Sequence, residues 1–323
     1  MTNFPNLDPE LAAAVTMLPN LDFVDVQSAR STLTSLLDAM LADLPMDGVS
    51  VRELTVPGLD GAPDVVVRFF TPEHLDGPLP VLVWIHGGGF AIGSAASSDP
   101  YCVEVVRELD FAVANVEYRL APETPFPGPL DDCYAALEYI HSHASELGVD
   151  PARIAVGGQS AGGGLAAGTV LRARDEGVVP VAFQLLEIPE LDDRLSTVSM
   201  TEFVDTPMWH RPNAILSWQY YLGESYSGPD DPNVSIYAAP SRATDLAGLP
   251  PTYVATMELD PLRDEGIDYA VRLLQAGVSV ELHSFPGTFH GSGMLATAEV
   301  SKRAHTESMD ALRRGLRLRV PAS

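Results

Sequence analysis

The chain is short of lysine, of cysteine and of long apolar runs, and each shortage excludes something. Lys302 is the single lysine; 19 basic residues face 44 acidic ones, giving a formal net charge of −25 over 323 residues. That balance repels phosphate and argues against nucleic acid or an anionic membrane as a partner. The two cysteines, Cys102 and Cys133, fit a reducing compartment in which buried free thiols are the rule, and neither has the spacing of a zinc site or a thiol nucleophile. No apolar stretch approaches the roughly 20 residues that span a bilayer. The start, Met1 to Asp8, has neither the basic region nor the apolar run of a secretory leader, so a cytoplasmic location is expected.

What is present is a globular composition, 46% hydrophobic and 20% charged, with enough chain for one large core. Residues 51–56 and 65–70 alternate in hydropathy around Gly58 and Gly61-Ala62-Pro63 and read as a hairpin opening a sheet. Apolar strand-like runs then alternate with helical stretches: Pro80–Ile85, Phe111–Tyr118, Leu130–Leu147 as a helix, Arg153–Gly157, Ala161–Arg174 as a helix, Thr252–Met257 and Val278–Phe285. This alternation predicts an α/β fold, one mixed, mostly parallel sheet with helices on both faces. Two stretches break the pattern. Residues 1–48 show Leu11, Val15, Leu18, Leu33, Leu36, Leu37 and Leu41 at roughly helical spacing, and residues 195–245 carry Met200, Phe203, Met208, Trp209, Trp218, Tyr220 and Tyr221. Taken alone, the second reads as a helical insertion anchored by its aromatics.

The chemistry is concentrated in glycine-framed motifs. Gly158-Gln159-Ser160-Ala161-Gly162 follows an apolar strand and precedes an Ala-rich helix, the context in which a serine sits on a strained strand-to-helix turn as a nucleophile. Its flanking glycines are required where a β-carbon would collide across the turn. His86-Gly87-Gly88-Gly89-Phe90 follows another apolar strand, and glycine amides there can approach a developing oxyanion without side chains intervening. The expected donors are Gly88, Gly89 and the amide of Ala161.

A serine hydroxyl needs a histidine base, and the histidine an acid to orient it. Downstream, Asp260 follows the strand ending near Met257 and His290 follows the strand through Phe285, so both fall at the sheet edge where open α/β sheets place their sites. Asp264 is expected inside the next helix and Glu258 still on the strand, which favours Asp260. His141 and His143 fall in a helix, His283 in a strand and His210 in the insertion, while His86 reads as a loop brace. Arg119 and Glu123 also read as braces. The acidic run Glu187, Glu190, Asp192 and Asp193 reads as a solvated loop, with pairing to a substrate ammonium as the sharper alternative.

The series His86-Gly-Gly-Gly89-Phe90, Tyr118-Arg119-Leu120-Ala121-Pro122-Glu123, Gly158-Gln159-Ser160-Ala161-Gly162-Gly163 and Asp260-Pro261-Leu262-Arg263-Asp264-Glu265 resembles, in composition and order, the hormone-sensitive lipase family of α/β-hydrolases. The resemblance implies the α/β-hydrolase fold, with 1–48 and 195–245 packed as a helical cap on a core of 49–194 and 246–323. It implies a serine carboxylesterase that needs no cofactor or metal, uses Ser160, Asp260 and His290, and acts on a small-molecule ester; it leaves room for a homodimer. Over its whole length the chain further resembles bacterial esterases of diacetylmorphine and acetylmorphine, which implies acetyl esters as substrates. Gln159 departs from the family, which commonly has Asp there; it keeps hydrogen-bonding capacity and loses the charge. Relatives that became receptors lack the catalytic histidine, and His290 argues against that reading; an amidase or a long-chain lipase would share the triad.

Overall fold

The computed structural model describes residues 4–15, 18, 21–41, 44–74 and 77–317. Its frame is an eight-stranded sheet: β1 (Val49–Val56), β2 (Val65–Pro72), β3 (Leu79–Ile85), β4 (Ala112–Glu117), β5 (Val149–Gln159), β6 (Phe183–Glu187), β7 (Thr252–Leu259) and β8 (Val280–Phe289). The spatial order is β1-β2-β4-β3-β5-β6-β7-β8. β1 pairs antiparallel with β2 and β2 with β4; every later pair is parallel. The expected hairpin and mostly parallel sheet are both present.

The strand sequences explain why. Every residue of β3, Leu-Pro-Val-Leu-Val-Trp-Ile, is buried, as a parallel strand covered on both faces requires. Its side chains alternate between two cores. Val81, Val83 and Ile85 join the face packed by helices Gly128–Ser142, Ala161–Glu176 and Arg263–Gln275, whereas Leu82 and Trp84 join the face packed by Asp99–Leu109 and Glu299–Gly315. The parallel strands all point their carboxyl ends the same way, so the loops after β3, β5, β6, β7 and β8 share one edge.

One boundary differs from expectation. The helix read over 130–147 runs Gly128–Ser142, breaks at His143 (φ −103°, ψ 16°) and resumes for a single turn, Ala144–Leu147, before Gly148 in the left-handed region ends it. The His143 ring stacks on Tyr139, and its Nδ1 lies 3.1 Å from the Tyr139 carbonyl, a local bond that competes with continuing the helix.

The two stretches outside the alternation are helical and bound to each other. Helices Pro9–Ala14 and Val26–Leu41 lie in the first, Val198–Glu202 and Arg211–Leu222 in the second. Asn213 accepts from the Phe23 amide and donates to the Leu21 carbonyl (2.7 Å), and the Tyr220 hydroxyl donates to the Phe23 carbonyl at 2.8 Å. Arg30 ties the first stretch to core loops through the Ala91 and Ala121 carbonyls and Glu123. Residues 1–3, 16–17, 19–20 and 42–43 of the expected cap, and 75–76 and 318–323 of the expected core, lie outside the described residues.

Candidate active site

β5 ends at Gln159, and helix Ala161–Glu176 begins two residues later, so Ser160 must reverse the chain alone. It does so at φ 58°, ψ −124°, a conformation a non-glycine residue holds only under constraint. The constraint is visible. The Ser160 amide donates to the Glu187 carbonyl (2.8 Å), and the Ser160 carbonyl accepts from Glu190 (3.0 Å) and Gly164 (3.1 Å). A β-carbon on Gly158 would strike the Gly162 carbonyl oxygen, and one on Gly162 the carbonyl oxygens of Ile85 and His86. Only glycine fits either position.

The three residues expected to act together meet. His290, the first residue after β8, places Nε2 2.9 Å from Ser160 Oγ and Nδ1 2.7 Å from Asp260 Oδ2. Asp260, the first residue after β7, is fully buried and is held by the Leu262 amide, which donates to Oδ1 at 2.9 Å. With the carboxylate accepting from Nδ1–H, Nε2 is left free to accept the serine proton. Asp264 is instead inside helix Arg263–Gln275, paired with Arg263 and accepting from the Ser199 amide; Glu258 accepts from Asn6 and from the Gly287 amide. Neither competes for His290.

Gly88 (φ 125°) and Gly89 (φ 52°) curve the loop after β3, and among the described residues no acceptor takes either amide hydrogen. The Ala161 amide, at the first position of its helix, is likewise among those without an intrahelical acceptor. These donors stand on the same sheet edge as Ser160. A β-carbon on Gly89 would lie 2.7 Å from both Phe23 and Trp209, so one aromatic from each helical stretch packs on this glycine. Trp209 also faces the His290 ring, centroids 5.8 Å apart.

The braces act as such. His86 is fully buried, stacks on Tyr118, and sets Nδ1 2.8 Å from the Gly87 carbonyl; burial lowers its pKa to about 4, so it is neutral and structural. Arg119 forms a forked pair with Asp132, and Glu123 pairs with Arg30. Gln159 is half-buried and no side-chain hydrogen bond forms on it among the described residues. Cys102 and Cys133 are buried and free.

The acidic run departs from expectation. Glu190 and Asp193 are fully buried and Asp192 nearly so, because the loop after β6 passes under the insertion and not along the surface. Asp193 receives a forked pair from Arg242 and Asp192 one from Arg194, while Glu187 accepts from Ser308. The run is internal scaffolding. Its pattern of acids carried no sign of burial, since the partner arginines lie at Arg194 and far downstream at Arg242. Sequence reasoning also missed Glu265, buried on helix Arg263–Gln275 and accepting from the Leu191 and Asp192 amides. Near the start of edge strand β8, whose other end carries His290, Glu281, His283 and Glu307 bring ligand atoms within 4.8 Å of one another, but Glu281 is already paired with Arg314.

Comparison with known proteins agrees with this geometry. The family described by the alpha/beta hydrolase fold matches residues 82–294. The chain is 78% identical to the solved structure of a bacterial heroin esterase, covering 98% of this chain and 100% of that one with a TM-score of 0.97. It is 41% identical over 293 residues to carboxylesterase NlhH of Mycobacterium tuberculosis, 89% of each chain. The crystal structure of esterase LipW from Mycobacterium marinum is 38% identical with a TM-score of 0.88, covering 97% of each chain.

Proposed function

Because the chain belongs to the α/β-hydrolase family, in its hormone-sensitive lipase branch, and is a carboxylic ester hydrolase, we propose that Ser160 is its nucleophile and short-chain acyl esters its substrates. The observation that carries the assignment is the unbroken chain Asp260–His290–Ser160, with bonds of 2.7 and 2.9 Å, ending on a serine held at positive φ.

In this reading Ser160 Oγ attacks the ester carbonyl carbon while His290 Nε2 takes its proton. Asp260 holds the imidazole tautomer and stabilises the imidazolium. The carbonyl oxygen becomes an oxyanion and receives the free amides of Gly88, Gly89 and Ala161, donors that need no reorganisation when the charge forms. Collapse breaks the bond to the alcohol oxygen, which leaves with the proton from His290. Water then repeats the sequence on the acyl-enzyme and releases the acid, restoring Ser160.

Residues 1–48 and 195–245 act as the cap on a core of 49–194 and 246–323. Phe23 and Trp209, one from each cap part, close on Gly89 beside the oxyanion donors, and this crowding supports a small acyl group such as acetyl. Likeness to a heroin esterase at 78% identity supports diacetylmorphine and acetylmorphine among the substrates. A phenolic leaving group, pKa about 10, is better than an alkyl alcohol, so the phenolic acetate of diacetylmorphine should go first. The buried free thiols support a reducing, cytoplasmic location.

The test is hydrolysis of p-nitrophenyl acetate, p-nitrophenyl octanoate and diacetylmorphine by the native chain beside Ser160→Ala. Acetate and diacetylmorphine turnover that disappears in the variant supports the reading. Residual activity in Ser160→Ala, or faster octanoate than acetate, refutes the nucleophile or the short-acyl assignment respectively.

A further inference from the structure

Glu190 is a carboxyl group without a partner in the interior of the protein. It is fully buried, and neither carboxyl oxygen has a hydrogen-bond donor among the described residues. Its backbone is part of the nucleophile turn: the Glu190 amide donates to the Ser160 carbonyl at 3.0 Å, and a β-carbon on Gly164, one turn into the following helix, would strike the Glu190 carbonyl oxygen. Beside its carboxyl stands Ser217 of helix Arg211–Leu222, whose hydroxyl is also buried and unpartnered. The loop that carries Glu190 therefore touches both the serine turn and the cap helix.

The titratable groups facing Glu190 offer it no cation. Asp260 faces it from the loop after β7, Glu265 from helix Arg263–Gln275 and Tyr118 from the segment after β4. Asp192 and Asp193, next along its own loop, have taken the nearby arginines. A carboxylate in this position would have no counterion and only the Ser217 hydroxyl beside it as a donor, whereas a carboxylic acid needs no counterion and can share its own O–H with that serine.

We propose that Glu190 is a positioning residue that works as a neutral carboxylic acid, joining the cap helix at Ser217 to the Ser160 turn, and that its ionisation disengages the turn. An anion there must move to reach water, and the loop it moves carries the amide that anchors the Ser160 carbonyl. Burial, with Asp260 adding to it, pushes the Glu190 carboxyl up to about 8, so the acid form is the one present at neutral pH. The inference rests on Ser160 being the nucleophile.

The experiment is kcat/KM for p-nitrophenyl acetate from about pH 6 to about pH 10, with Ser160 occupancy by a fluorophosphonate measured on the same samples, for the native chain, Glu190→Gln and Ser217→Ala. In the native chain kcat/KM should fall reversibly, roughly tenfold per pH unit above about 8. Glutamine cannot ionise, so Glu190→Gln should keep its neutral-pH rate and lose that alkaline fall. Should that variant not fold, Ser217→Ala decides: removing the hydroxyl takes away a contact that favours the anion, and the alkaline midpoint should rise. A native profile flat to high pH, an unchanged fall in Glu190→Gln, or an unmoved midpoint in Ser217→Ala overturns the proposal while labelling of Ser160 persists. Failure of Ser160 to label sinks the nucleophile assignment instead.

Discussion

Phe23 and Trp209 stand edge to face, ring centroids 5.1 Å apart and planes at 82°, and both rings close on Gly89. One comes from the first helical stretch and the other from the insertion, so this contact over Gly89 is built by two segments that meet only in the fold. Trp209→Ala removes the larger ring and should open the acyl side. The ratio of kcat/KM for p-nitrophenyl octanoate over acetate should rise by about tenfold, the order expected if roughly two of the added methylenes gain apolar contact at about 0.8 kcal/mol each. An unchanged ratio would place the acyl chain elsewhere.

Asp260, in the loop after β7, and Asp264, in the helix that follows, have separate tasks. Asp260→Asn keeps the shape but presents an amide where Nδ1–H needs an acceptor, and kcat should drop by about 10⁴ with little change in KM. Asp264→Asn loosens the bond from the Ser199 amide, which joins helix Arg263–Gln275 to the insertion, and the pairing with Arg263 inside that helix. It should leave kcat within about threefold and lower the unfolding midpoint, since charge-assisted bonds are worth about 1.5–3 kcal/mol. Reversal of the two phenotypes, read by steady-state kinetics and thermal melting, would reassign the acid.

The sheet and the serine turn were legible because their physics is local. A doubly covered parallel strand must be apolar throughout, as β3 is, and the turn at Ser160 admits nothing but glycine at 158 and 162. Asp260 and His290 were legible because each directly follows an apolar strand. What was not legible depends on distant partners. The acids at 190–193 look solvated until Arg194 and Arg242 are seen beside Asp192 and Asp193, and no local pattern reports that Glu190 is left without one. The break at His143 follows from its ring lying on Tyr139, a contact that helical periodicity does not encode.

Glu190 also makes a thermodynamic prediction that does not depend on catalysis. Its carboxyl is raised from 4.5 to about 8 in the folded chain, so between those values the folded state holds a proton that the unfolded state has released. Its contribution to stability is therefore fully present below the unfolded value and is lost as pH rises, at about 1.4 kcal/mol per unit, until the loss is complete above about 8. Urea midpoints at several pH values should show native stability falling relative to Glu190→Gln across that window and running parallel above it. Parallel behaviour throughout would mean that the folded chain carries the charge.

The charge of −25 bears on encounter with the proposed substrate, because diacetylmorphine carries a tertiary amine protonated near neutral pH while p-nitrophenyl acetate is neutral. An acidic surface has two readings: it keeps the protein soluble, or it also raises the local concentration of a cationic ester. They separate by ionic strength. The Debye length shrinks from about 10 Å at 0.1 M to about 3 Å at 1 M, so steering should disappear over that range while solubility and the chemical step persist. If the field matters, kcat/KM for diacetylmorphine should fall by about threefold or more between those salt concentrations, with kcat unchanged and the p-nitrophenyl acetate value flat. Equal responses of the two esters would assign the charge to solubility alone, since salt acting on the triad itself would slow both.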